Sequence, residues 1–303
     1  MRRNLHRHLA ATAFAVALVL TGAARADQIV ITYSAPGVYT PDFSTNPSTG
    51  ICASATTCNY GMENFSAWDG SASFNSSFND AGAGTYNTPS GVSFGGAYSV
   101  GSGTTSGAGG ELVQHPQDQY GGVSGSAYPE LFGPNAPQVS NPGAAPVASY
   151  NLALTANGVP GVNYFGLWIS ALDANNDLRI FSGTNLLAQF NSSVLQSALG
   201  NCLAPASNGY CGNPTAEFKG QNSGELFAYV NVFNLDGFIT NVQFINGGTS
   251  GFESTNHAVG YVDPIHVSGI QLDVPEPLSA AVLGMGLAGL GLVRRVQRRA
   301  RQG

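Results

Sequence analysis

Several short stretches place reactive side chains at spacings that chemistry could use. Gly91-Val92-Ser93-Phe94-Gly95 has the G-x-S-x-G form of a nucleophile elbow, where a sharp strand-to-helix turn exposes a serine hydroxyl. No helical pattern follows Gly95, and a chain with 40 glycines produces such matches by chance, so a hydrolase serine is not expected. Asp173-Ala174-Asn175-Asn176-Asp177 opens like a calcium loop, in which alternate oxygen ligands converge on a hard cation. The glycine such a loop needs at its sixth position is Leu178, and the glutamate at its twelfth is Thr184. A turn is the first expectation for this stretch. Calcium held by Asp173, Asn175 and Asp177, with help from elsewhere, is the second.

Aromatic, sulfur and imidazole groups offer further chemistry. On an extended strand Tyr164 and Trp168 face one side, while Phe165, Leu167 and Ile169 face the other. An exposed Tyr164/Trp168 pair would stack on sugar rings. A strand apolar on both faces is more simply a core strand covered on its second side. The four cysteines fall as Cys52/Cys58 and Cys202/Cys211, and two local disulfides are the simplest of three connectivities in an oxidising compartment. Neither pair has the C-x-x-C spacing of a redox site, and no histidine lies near either at metal-ligand spacing. His115, His257 and His266 are isolated in sequence and are expected on the surface or in loops. Arg179 alternates with Leu178 and Ile180, so it should face outward and pair with Asp173 or Asp177. Carboxyl pairs about 5–10 Å apart could cleave glycosidic bonds, but local sequence does not say which carboxylates meet.

The two ends of the 303-residue chain differ sharply from its middle. Arg2, Arg3 and Arg7 precede an apolar stretch at 9–20 and then Ala24-Arg25-Ala26. A positive start, an apolar run and an A-x-A site describe a secretory signal peptide over 1–26, cleaved after Ala26 by signal peptidase. At the other end, Pro275-Glu276-Pro277 is followed by the apolar run 278–293 and then by Arg294, Arg295, Arg298, Arg299 and Arg301. Sixteen helical residues span about 24 Å, at the short limit for a bilayer core of about 30 Å. Snorkelling arginines make up part of the deficit and hold the end on the cytoplasmic side. The two prolines keep the preceding motif extended, as a protease cleft requires.

Motif, span and basic end, in that order, closely resemble the PEP-CTERM sorting signal of Gram-negative bacterial surface proteins. The resemblance covers residues 274–303. It implies processing near Pro275, Glu276 and Pro277 by exosortase, a membrane protease-transpeptidase, and a membrane-anchored precursor that ends at the cell surface or outside the cell.

Between the ends, residues 27–275 carry only Arg179 and Lys219 against sixteen carboxyl groups, a formal charge of −14. Nucleic acid is excluded as a partner, since binding phosphates needs Lys and Arg to displace counterions. Neutral glycans, calcium or other proteins remain open. Scarce Lys and Glu, with abundant Gly, Ser, Asn, Thr and aromatics, predict an all-β domain over 27–273.

Residues 27–146 are rich in Gly, Ser, Asn and Pro, with strands expected at 28–34 and 91–100 and a proline-rich loop at 128–146. That part is either loop-elaborated β structure or partly mobile chain. Residues 147–273 read more regularly, with strands at 147–154, 162–170, 178–181, 186–190, 226–233, 238–245, 258–262 and 265–272. The turn Ser182-Gly183-Thr184-Asn185 joins a hairpin. Another hairpin is expected across Asn234-Leu235-Asp236-Gly237. One short helix should start at Asn191 or Ser192 and stop at Gly200. Short strands with regular turn signals predict an antiparallel sandwich of the jelly-roll kind, with a barrel second.

The segment 163–183 and the sequence Gly251-Phe252-Glu253-Ser254-Thr255-Asn256-His257 are similar to patterns in a group of exosortase-sorted surface proteins. That likeness implies a surface β-sandwich and no established activity. A structural or adhesive protein of the envelope or biofilm matrix is the leading expectation. A carbohydrate-binding sandwich acting on exopolysaccharide, with or without calcium, comes second, and a secreted polysaccharide hydrolase third.

Overall fold

Fourteen strands and one helix are present among the described residues of the computed structural model. Those residues are 28–41, 59–80, 92–101, 111–133, 148–202, 209–248 and 250–261. Ala24, Ala26, Cys52, Cys58, Gly91, His266, Pro275, Glu276, Pro277, the run 278–293 and the strand expected at 265–272 lie outside them.

In chain order the strands are β1 (Ile29–Tyr33), β2 (Asn59–Glu63), β3 (Ser73–Ser76), β4 (Phe94–Val100), β5 (Leu112–Pro116), β6 (Ala127–Leu131) and β7 (Ala148–Ala156). They continue with β8 (Val159–Pro160), β9 (Tyr164–Leu172), β10 (Asn176–Ser182) and β11 (Asn185–Asn191). Helix α1 (Ser192–Leu199) follows, then β12 (Leu226–Asn234), β13 (Asn241–Asn246) and β14 (Glu253–Tyr261). Two antiparallel sheets result. One runs β1-β12-β9-β14-β6-β5 with β2 also on β14, and the other runs β11-β10-β13-β7-β4-β3 with β8 on β7.

Strand β9 shows why the sheets stack. Phe165, Leu167 and Ile169 belong to the large core that includes Leu152, Val242 and Phe244 of the opposite sheet. Its other face is buried as well. Trp168 packs with Phe227, Tyr229 and Val123, and Tyr39 meets its ring edge-on at 6.2 Å between centroids. Tyr164 sits with Met62 and Phe233, and its hydroxyl donates to Asn231 Oδ1 at 2.8 Å. The outer face of this sheet is thus roofed, so β9 and β12 are buried along their whole lengths.

Local signals account for several elements. In the β10–β11 hairpin Ser182 pairs with Asn185, leaving Gly183 and Thr184 as a two-residue turn with Gly183 at φ 58°. Asn191 caps α1 through Oδ1, which accepts from Val194 N, and Gly200 ends it. Leu195 and Leu199 point inward.

Three expectations need correction. Strands β12 and β13 do not form a hairpin across 234–237, because β12 pairs with β1 and β9 while β13 pairs with β7 and β10. The connection is a corner between the two sheets. Part of the stretch read as a proline-rich loop is β6, where Pro129 lies between two residues paired with β5. The last described strand begins at Glu253, before the expected 258.

Candidate functional site

The outer face of the β1–β5 sheet carries a cleft of about 400 Å³ at its β6–β14 end. Its floor comes from an unusual cross-strand pair: Glu130 on β6 stands directly opposite Glu253 on β14. Like charges at that spacing repel, yet the two carboxyl groups hydrogen-bond to one another. Alternation explains why both look outward. Ala127 and Leu131 turn into the core, so Tyr128 and Glu130 take the other face. Gly251 lies against both carboxyl groups, and a side chain there would run into Oε1 of each.

Burial raises both acids above the usual carboxylate range, and for Glu253 the neighbouring charges of Glu130 and Asp173 raise it further. Both carboxyls therefore hold a proton more readily than free ones do, and the pair titrates as a unit. Glu253 is only 3 % exposed, and its Oε2 has no hydrogen-bond partner among the described residues. His115 Nε2 lies 3.0 Å from Glu130 Oε2, within ion-pair reach but without hydrogen-bond alignment. Its ring stacks on Tyr128 at 5.5 Å.

Three loops complete the walls. Asp118 Oδ1 accepts from Tyr120 N, Gly121 N and the Tyr128 hydroxyl, which fixes the 117–122 loop. That loop holds Tyr120 at the rim, 42 % exposed and one of three large apolar side chains left open among the described residues. Asn213 Nδ2 donates to the carbonyls of Asp118 and Gln119, and Asn222 Nδ2 to Gln119. The segment bearing Asn213 and Asn222 is pinned at its start by the Cys202–Cys211 disulfide, as the sequence predicts for that pair. It ends at Glu225, whose Oε2 is buried without a partner among the described residues and whose carboxyl is raised by burial.

The third wall depends on a bulge. Leu226 pairs with Leu172 and Ala228 with Ile169, so β9 carries one extra residue across Ser170 and Ala171. Ala171 adopts φ 45°, a strained backbone for a residue with a Cβ. Ala171 and Asp173 border the cleft, and burial raises the Asp173 carboxyl.

Asp173 reaches the cleft, but Asp177 turns to Arg179 Nε at 3.3 Å and Gln189 Nε2 at 2.7 Å, and Asn175 packs against Gly248. The calcium loop is therefore not assembled by its own three residues; 173–175 is a corner between the sheets. Arg179 pairs with Asp177 on the exposed side, as alternation predicts. Tyr164 and Trp168 are fully buried, so they offer no face to a sugar, and the core reading holds. Ser93 precedes β4 rather than a helix, so it is not a nucleophile elbow.

His257 corrects another expectation. It is wholly buried between the sheets, where burial lowers its pKa from 6.5 to about 3. Glu130, Glu253 and Glu225 were not individually visible as a site. The only hint was the excess of carboxylates over cations.

No family model, no curated protein and no solved structure matches this chain.

Proposed function

We propose that the chain is an exported surface or extracellular-matrix protein, sorted by exosortase, whose sandwich has a structural and adhesive role in the envelope or biofilm. The observation that carries this reading is the order of Pro275-Glu276-Pro277, the apolar run 278–293 and the closing arginines. Signal peptidase would remove 1–26, the apolar run would hold the precursor in the membrane, and exosortase would act near the motif. The Cys202–Cys211 bond is in keeping with an oxidising compartment. We take the two-sheet frame as a variant of the jelly-roll kind. Replacing Pro275, Glu276 and Pro277 by alanine should leave an unprocessed membrane-bound precursor; unchanged processing would refute the sorting claim.

The cleft favours a second reading, a carbohydrate-binding sandwich acting on exopolysaccharide. Tyr120 supplies an exposed aromatic face beside several hydrogen-bonding carboxyl groups, and a volume near 400 Å³ suits a small ligand. Binding without turnover fits the Glu130–Glu253 pair, which shares a hydrogen bond; glycosidase pairs are held about 5 Å or more apart. A glycan array with the full chain tests it: saturable binding lost in Tyr120→Ala supports the reading, and no binding to any glycan removes it.

A further inference from the structure

The cleft is lined by Asp118, Glu130, Asp173, Glu225 and Glu253, and no Lys or Arg is among the described residues that line it. Among the described residues the chain has just two such cations, and Arg179 is engaged by Asp177. Oε2 of Glu253 and Oε2 of Glu225 are buried acceptors that meet no donor among the described residues. An accumulation of acids alone would mean little. A carboxyl group 97 % buried, bordering an open cleft with one oxygen unserved, indicates a ligand that brings donors and positive charge.

A metal ion fits poorly. Among the described residues no three His, Cys, Asp or Glu side chains are grouped to hold one. The acids instead surround a space the size of a small organic group, with the Tyr120 ring at its rim.

We propose that the cleft binds an amine-bearing sugar, its ammonium seated on the Glu130–Glu253 pair and its ring against Tyr120. The proposal rests on the glycan-binding reading above and names its ligand class. An ammonium group carries three N–H donors and forms short charge-assisted bonds to carboxylates. Asp173, Glu225 and Asp118 strengthen the negative field, and among the described residues that line the cleft His115 is the one side chain able to oppose it. The ammonium also takes over the role of the proton held between the two glutamates. That O–H bond breaks, its electron pair stays on the carboxylate, and the proton passes to solvent. Binding should therefore release up to one proton per site.

Calorimetric titration of the full chain in detergent, repeated in two buffers of different ionisation heat, tests this. The probes are a glucosamine hexamer, its fully N-acetylated counterpart, hexalysine and calcium chloride. The expected result is saturable binding of the glucosamine hexamer, at least tenfold tighter than the acetylated form, with proton release. The double variant Glu130→Gln, Glu253→Gln should weaken it at least tenfold, and Asp177→Asn, outside the cleft, should not. Equal affinity for both hexamers would overturn the amine claim and leave the glycan reading standing. Hexalysine binding without either sugar would overturn both in favour of a basic protein partner. Calcium binding alone would replace the proposal with a metal site, equal weakening by Asp177→Asn would remove it from the cleft, and silence from all four probes would sink both readings.

Discussion

Ser254 and His257 lie three residues apart on β14, yet Ser254 Oγ and His257 Nε2 share a 3.0 Å hydrogen bond inside the sandwich. Regular alternation would send them to opposite faces. The bulge between Thr255 and Ala258, with Asn256 at φ 49°, puts both inside. His257 Nδ1 meets the Tyr98 hydroxyl at 3.1 Å, and Ser254 Oγ meets that of Tyr150 at 3.2 Å. Tyr98 and Tyr150 belong to the opposite sheet, so this polar chain ties the two sheets together. Phe244 stacks on the imidazole at 5.1 Å, with Phe65 and Phe165 edge-on.

That burial predicts an acid limit to stability. With a folded pKa of about 3 against 6.5 unfolded, the His257 contribution is complete above 6.5 and declines as pH falls toward 3. The slope should approach about 1.4 kcal/mol per pH unit from this group alone. His257→Gln should flatten that limb of a urea-unfolding pH series, while costing about 1–3 kcal/mol at neutral pH through lost or misaligned hydrogen bonds. An unchanged acid limb in the variant would show that other groups set it.

The Glu130–Glu253 pair predicts the opposite trend. Both folded values are raised, so their contribution is complete below the ordinary carboxylate range and is lost as pH rises through the raised values. Glu253→Gln should stabilise the ligand-free protein at neutral pH, by roughly 1–2 kcal/mol, and should gain nothing in mild acid. A melting-temperature series across pH separates this from a uniform effect.

The disulfide and the cleft should fail together. Removing Cys202 and Cys211 by alanine should cost roughly 2–3 kcal/mol by loop entropy. Hydrogen exchange should rise first at the amides of 209–225 and of the 117–122 loop that Asn213 and Asn222 clamp. Exchange confined to the hinge at Cys211 would contradict that coupling.

Tyr120 and Trp168 should behave as opposites. Trp168→Ala removes a fully buried ring and should cost about 3–5 kcal/mol. Tyr120→Ala, at a half-open rim position, should change stability by about 1 kcal/mol or less while abolishing glycan binding. Denaturant titration paired with binding isotherms of the two variants checks both statements.

The fold was legible wherever one local pattern decided it. The two-sided apolarity of β9, the Gly183-Thr184 turn and the Asn191 cap each carry a complete signal within a few residues. Strands β5 and β6 do not, because Gln114, His115 and Pro129 interrupt their alternation and the chain around them is turn-rich. The cleft was hidden for another reason. Glu130 and Glu253 meet only through the pairing of β6 with β14, strands far apart in sequence, and no spacing rule encodes that neighbour choice. His257 is isolated in sequence and precedes the strand expected at 258–262, so it reads as a surface or loop residue. Strand β14 instead starts at Glu253, and its bulge at Asn256 turns His257 inward. Local sequence groups Asp173 with Asn175 and Asp177, whereas the fold groups it with Glu225 and Glu253.

The proposed amine site turns on a proton held by the Glu130–Glu253 pair, whose carboxyls are both raised by burial. Carbon-13 shifts of the Glu130 and Glu253 side-chain carboxyls, followed across pH with and without the glucosamine hexamer, measure this directly. The free protein should show linked titration well above the ordinary carboxylate range, moving down when the hexamer is added. Two independent carboxyls titrating in the ordinary range under both conditions would contradict it.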